Sequence, residues 1–114
     1  MSPPEFEVYC ADELRQCGWN ARVTTQSGDQ GVDIIAEKNG VRVVLQCKLY
    51  TGAVGNKSVQ EVVAARAHER AHYGVVVSNS RYTKAAEQLA ATNEIKLIHY
   101  RDLMNLENLL KKGF

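Results

Sequence analysis

The dipeptide Asn39-Gly40 lies between two apolar runs, residues 32–38 and 41–49, and constrains this chain more than any other feature. Asn-Gly supplies the positive backbone angles of a tight two-residue turn, so the flanking runs read as an antiparallel hairpin. Counting outward from the turn, Lys38 faces Val41, Glu37 faces Arg42, Ile35 faces Val44 and Asp33 faces Gln46. The opposite charges of Glu37 and Arg42 favour this register. Alternation then puts Asp33, Ile35, Glu37, Arg42, Val44, Gln46 and Lys48 on one face, and Val43, Leu45, Cys47 and Leu49 on the other. A slip of one residue would separate Asp33 from Gln46 and lose the Glu37–Arg42 pair.

The rest of the chain alternates in type around this hairpin. Ser2 with Glu5 three residues on forms a capping-box pattern, and Pro3 suits a first helical position, so residues 3–18 are expected to be helical. Phe6, Cys10, Leu14 and Cys17 give that helix its apolar stripe, and Gly18 ends it. Residues 19–26 read as a strand and 27–31 (Ser-Gly-Asp-Gln-Gly) as a loop. A second helix is expected over 56–72, with Val59, Val62, Val63 and Ala67 inward, followed by a buried strand at 74–78. A helix at 83–93, a strand at 95–99 and a helix at 102–112 complete the chain. The order αβββαβαβα predicts an α/β (α+β) fold, a mixed sheet of about five strands flanked by helices. Strands joined through helices are expected to pair in parallel.

At 114 residues the chain suits one domain over 1–114. No apolar run approaches the length of a membrane helix, and the polar start has no signal-peptide pattern, so a cytoplasmic protein is expected. Three cysteines with no metal-ligand spacing argue against a disulfide framework and structural zinc, and favour core filling. The formal net charge of +1 gives no global attraction for nucleic acid. DNA binding would need local basic clusters and a metal ion.

Three polar side chains thus converge at one end of the hairpin: Asp33, Gln46 and Lys48. Polar residues in apolar strands need partners or a task. One reading is structural, an Asp33–Lys48 salt bridge with Gln46 bonded between them. The other is chemical. Phosphodiester hydrolysis needs a hard cation, an activated water and positive charge for the transition state. Magnesium takes oxygen ligands, so the Asp33 carboxylate, the Gln46 amide oxygen and the Cys47 backbone carbonyl form a suitable set. Lys48 then points to the same side, placed to orient or deprotonate water or to offset developing charge.

Gly28-Asp29-Gln30-Gly31-Val32-Asp33-Ile34-Ile35-Ala36, followed by Val44-Leu45-Gln46-Cys47-Lys48, resembles the catalytic domain of Mrr-type restriction endonucleases. These belong to the PD-(D/E)XK nuclease superfamily, which also holds archaeal Holliday-junction resolvases. The resemblance runs over nearly the whole chain, including Phe6-Glu7, Gly18-Trp19, the strand Gly74-Val75-Val76-Val77-Ser78 and the helix from Thr83 to Ala91. It implies a restriction-endonuclease-like fold and a Mg2+-dependent endonuclease acting on DNA, with Mn2+ able to substitute. It also implies a catalytic set of Glu7, Asp33, Gln46 and Lys48. Glu7 enters through the resemblance alone. Gln46 stands where much of the superfamily has a carboxylate; it removes a negative charge, which implies weaker metal affinity and less repulsion of the DNA phosphate.

Gln60, Lys57, Arg81 and Lys84 are further candidates for DNA contact, Lys84 because it adjoins a helix N-terminus. Asp29 stays outside the core set. His68 and His72, four apart, lack a third metal ligand nearby in the sequence. Trp19 and Tyr82 fit core or rim packing better than base stacking. The competing functions are a junction-resolvase-like or RNA-directed nuclease, and an inactive DNA-binding module on the same fold. Cutting both strands of a duplex calls for two centres, hence an expected homodimer or successive encounters. Sequence or modification specificity calls for a reader domain or partner protein.

Overall fold

The computed structural model describes residues 1–24 and 32–112. Helix α1 spans Pro3–Gln16 and opens with both bonds of the capping box: Ser2 accepts from the Glu5 amide, and Glu5 accepts from the Ser2 amide. The helix closes at Cys17, and Gly18 follows at φ +93°, a backbone angle that side chains disfavour. Strand β1 covers Asn20–Val23, shorter than the expected 19–26, whose last two positions lie outside the described residues together with the predicted loop at 27–31.

Strands β2 (Ile34–Lys38) and β3 (Val41–Lys48) form the hairpin in the predicted register, with Glu37 opposite Arg42 and Ile35 opposite Val44. Asn39 and Gly40 both take positive φ, as the turn requires. The Glu37–Arg42 pair closes at 2.8 Å.

Helix α2 runs Asn56–His68, stopping before the expected residue 72. The chain turns at Arg70, φ +52°, and the His72 amide bonds the Arg42 carbonyl, drawing the chain into the sheet. This places His72 outside the helix and removes the four-residue spacing of His68 and His72 from one helical face. The buried face of α2 is Ser58, Val59, Val62 and Ala65; Val63 is half-buried and Ala67 exposed, so the inner face is rotated from the expected one.

Strand β4 (Tyr73–Ser78), helix α3 (Lys84–Asn93) and strand β5 (Ile95–His99) follow. The predicted last helix begins as a 3-10 helix at Tyr100–Asn105 and becomes α4 at Leu106–Lys112. The sheet order is β1-β2-β3-β4-β5, antiparallel up to β3 and parallel thereafter.

Alternation in β3 divides the core into two layers. Val43, Leu45 and Cys47 pack with Phe6, Cys10 and Leu14 of α1 and with Leu103, Leu106 and Leu110 from the C-terminal helices. Val44 and Ile35 pack with Val59, Val62 and Ala65 of α2 and Ala86 and Ala90 of α3. Two successive crossovers in one direction place α2 and α3 on the same face. Cys10 and Cys47 are buried, Cys17 is half-buried and all three are free thiols, in keeping with core filling. Trp19 is buried, and the Tyr82 hydroxyl sits between the carbonyls of Val76 and Ile98 at 3.0 and 2.8 Å, so both residues are packing elements. Among the described residues, no helix is long and apolar enough to cross a membrane.

Candidate active site

Parallel pairing carries β3, β4 and β5 to a common end of the sheet, and the hairpin brings the start of β2 to that same end. Asp33 sits just before β2, where the regular pairing ends at Ile34 opposite Leu45. Its amide bonds the carbonyl of Leu45, not of the expected Gln46, at 3.0 Å, and its carbonyl accepts from the Thr24 amide at 2.9 Å. The predicted Asp33–Gln46 pair is thus displaced by a local irregularity in the ladder. The backbone is therefore fixed on both sides. The Asp33 Oδ2 accepts from the Cys47 amide at 2.8 Å. Backbone N–H and C=O of one strand residue share a side, so the Cys47 carbonyl belongs to the β2 side of β3, with Asp33.

Gln46 is buried, at 6% exposure. Its Nε2 donates to Glu61 Oε1 at 3.1 Å, whereas its Oε1 has no hydrogen-bond partner among the described residues. A buried carbonyl oxygen without a donor costs about 1–3 kcal/mol, so this atom is suited to a cation or an ordered water. Lys48 Nζ lies 3.6 Å from Glu61 Oε1. The simple structural alternative, an Asp33–Lys48 salt bridge bracketing Gln46, is not formed: Lys48 pairs with Glu61, and so does the Gln46 amide.

Glu7 approaches from α1. It lies one residue after the buried Phe6, is half-buried itself, and lines the same cleft as Asp33, near enough to feel its charge. Burial first, then the charge of Asp33, push its carboxyl up to about 7. Burial also raises Asp33, opposed by the Cys47 amide and by the Lys48 ammonium. The two carboxyls are thus poised to hold one proton between them near neutral pH, a pairing that a bound cation would relieve.

Glu7, Asp33, Gln46, Cys47 and Lys48 line one open cleft of about 270 Å3, with Pro3, Leu49 and Tyr50 at its rim. Tyr50 is 44% exposed, yet its backbone is clamped by Asn79, whose side chain accepts from the Tyr50 amide (2.8 Å) and donates to its carbonyl (3.0 Å). Among the described residues, no three His, Cys, Asp or Glu side chains form a metal cluster by themselves. The donors that fit a hard cation are the Asp33 carboxylate, the free Gln46 oxygen and the Cys47 carbonyl, a mixed set of oxygens.

Of the outer candidates, Lys57 is exposed in the first turn of α2, Arg81 is exposed in the β4–α3 loop, and Lys84 is exposed as the first residue of α3. Val54 bonds Arg81 and Thr83 through backbone groups, tying the β3–α2 and β4–α3 loops together at the site's end of the sheet. Gln60 is likewise exposed, in the second turn of α2, and it is its neighbour Glu61 that reaches Gln46 and Lys48. Glu61 does not stand out in the sequence, because an acidic helix residue there looks like any solvated one. Its being the one acidic residue of α2, directly before the inward Val62, is the signal that could have found it.

The model of the Mrr restriction endonuclease catalytic domain matches residues 1–106. The type IV methyl-directed restriction enzyme EcoKMrr of Escherichia coli (strain K12) is 32% identical over 102 residues, covering 82% of this chain and 34% of that protein. The chain therefore spans about a third of the length of this curated relative. The solved structure of AspBHI, a DNA modification-dependent restriction endonuclease, matches with a TM-score of 0.68 at 24% identity, over 96% of this chain and 32% of that one. Hjc, a Holliday junction resolvase from Archaeoglobus fulgidus, matches with a TM-score of 0.57 at 18% identity, over 68% of this chain and 64% of that one. At these identities the two solved structures speak to the fold alone. With the family match spanning nearly all of its length, the chain belongs to the restriction endonuclease family defined by the Mrr catalytic domain.

Proposed function

We propose that this chain is a nuclease module that hydrolyses DNA phosphodiesters with a divalent cation, Mg2+ with Mn2+ as substitute, at a centre made of Glu7, Asp33, Gln46 and Lys48. The observation that carries this reading is the buried, unpartnered Gln46 Oε1 beside the Asp33 carboxylate in an open cleft. Most buried polar atoms of a structural cluster are bonded to protein or water, so an amide oxygen with no protein donor is open to a cation. Asp33, Gln46 and the Cys47 carbonyl would hold the cation, which supplies Lewis acidity and a more acidic water. Lys48 offers a positive charge within reach of the cleft, suited to orienting the nucleophilic water and offsetting charge on the phosphate. Glu7, with its carboxyl near 7, is suited to taking up or handing on a proton at Asp33's side of the cleft.

Lys57, Arg81 and Lys84 stand at the same end of the sheet and provide local positive charge for the DNA backbone, which the net charge of +1 does not. The E. coli relative is named as methyl-directed, and the chain covers only a third of it. Recognition of modified DNA would accordingly belong to a reader domain or a partner protein, with this module supplying the cut. Assembly of the complete Glu7–Asp33–Gln46–Lys48 set favours an active enzyme over an inert binding module.

The test is cleavage of supercoiled plasmid, modified duplex, four-way junction and RNA, each with Mg2+ and with chelator. The reading expects metal-dependent nicking of DNA. Cleavage confined to junctions or RNA would redirect the substrate, and no cleavage of any of them with Mg2+ or Mn2+ would overturn the reading.

A further inference from the structure

We infer that Glu61 is a positioning residue of this site: it fixes the Gln46 amide so that its carbonyl oxygen, and not its NH2, faces the cation position, and it holds Lys48 alongside. The inference rests on the functional reading above and assigns a role to a residue that does not itself touch substrate.

A carboxylate accepts hydrogen bonds and has none to donate. With Glu61 Oε1 3.1 Å from the Gln46 side-chain nitrogen, the NH2 end must be the one facing Glu61. The amide oxygen is then directed to the other side, where it is buried and without a partner. In the flipped amide, two acceptors would face one another and an NH2 would meet the cation. The same Glu61 oxygen lies 3.6 Å from Lys48 Nζ, so one carboxylate anchors two members of the site. Helix packing makes the anchor firm: Ser58, Val59, Val62 and Ala65 are all buried against the sheet, which fixes the direction in which Glu61 projects.

This arrangement also gives a reason for glutamine at position 46. A glutamate there would set two carboxylates within hydrogen-bond distance of each other, a costly repulsion. The negative charge absent from β3 stands instead on α2, one hydrogen bond further from the cation. Gln46 and Glu61 therefore act as a coupled pair, and their chemistry should be exchangeable only together.

The experiment follows two signals in Glu61→Ala, Glu61→Gln, Gln46→Glu and the exchanged double variant Gln46→Glu/Glu61→Gln. The first is the side-chain amide NH2 resonance of Gln46 in metal-free, 15N-labelled protein. The second is binding of Mg2+ or Ca2+ alone by calorimetry. Wild type should show a hydrogen-bonded Gln46 amide protected from exchange. Glu61→Ala should release it and weaken cation binding by about tenfold or more, the usual cost of losing a group that orients a ligand. Glu61→Gln should keep the Gln46 amide bonded through its own oxygen and bind cation better than the alanine variant. Gln46→Glu should lower the melting temperature of metal-free protein, and the exchange should restore it and bind cation at least as tightly as wild type. An unchanged Gln46 amide in Glu61→Ala, with cation affinity within about twofold of wild type, would overturn the positioning role. If wild type bound neither cation while its Gln46 amide was protected, the cation reading beneath the proposal would be the part that fails.

Discussion

Replacing Glu7 by glutamine should make the metal-free protein more stable, by an amount that grows from about pH 4.5 and levels off above about pH 7. The isosteric amide has an N–H to offer Asp33, as a protonated Glu7 has an O–H, but it never acquires charge. In the folded protein Glu7 is pushed from 4.5 to about 7 by burial and by the neighbouring Asp33 carboxylate. Below the unfolded value both states hold the proton and the residue contributes fully. As pH rises, the unfolded chain ionises first, so stability falls until Glu7 also ionises in the folded state near 7. One pH unit is worth about 1.4 kcal/mol, and solvent screening at this half-buried pair reduces the total to roughly 1–2 kcal/mol. At about 4 °C per kcal/mol for a chain of this size, Glu7→Gln should melt about 4–8 °C above wild type at pH 8. The difference should vanish toward pH 4. Thermal melts with chelator across this range measure it directly. A variant that melts below wild type by the same amount at both ends of the range would refute the reasoning, because Glu7 would then be held by pH-independent bonds.

Lys48→Met should abolish cleavage while changing stability by less than about 1 kcal/mol, since its ion pair with Glu61 is long and partly solvated; activity and melting on one sample check this. Alanine at Lys57, Arg81 or Lys84 should weaken DNA binding across sequences and lower the salt slope by about one for each phosphate no longer neutralised, read from binding titrations at several ionic strengths. The isolated module should nick supercoiled plasmid before linearising it, with linearisation rising steeply with protein concentration; fast linearisation by a protein that sediments as a monomer would count against a need for two centres.

The hairpin was legible because two independent signals agreed. The Asn39-Gly40 turn set the count, and the Glu37–Arg42 pair set its parity, so the pairs from Lys38–Val41 to Ile34–Leu45 followed. The count failed one residue further, at Asp33, whose amide bonds Leu45 and not Gln46. The run Val75-Val76-Val77 marked a central strand because both its faces are buried. The end of α2 was not legible, because Arg70 takes a positive φ without the glycine or asparagine that advertises such a turn. Nor was the phase of that helix: Val62 and Val63 are equally apolar, and only packing chooses Val62 with Ser58 and Ala65. That phase decides whether Gln60 or Glu61 meets the strand. Glu7 carried no local signal, and only the resemblance pointed to it. Its partner is supplied by α1 crossing the start of β2, a tertiary contact that no spacing in the sequence expresses.

Single-turnover cleavage by wild type and Asp33→Asn, at equal folded concentration over a Mg2+ titration, tests the central claim most directly. Asparagine keeps an acceptor for the Cys47 amide, so the fold should stand, with melting close to wild type. The account predicts Mg2+-dependent strand cleavage by wild type, none in chelator, and loss of cleavage in Asp33→Asn at every Mg2+ concentration. Equal cleavage by the two proteins would contradict it.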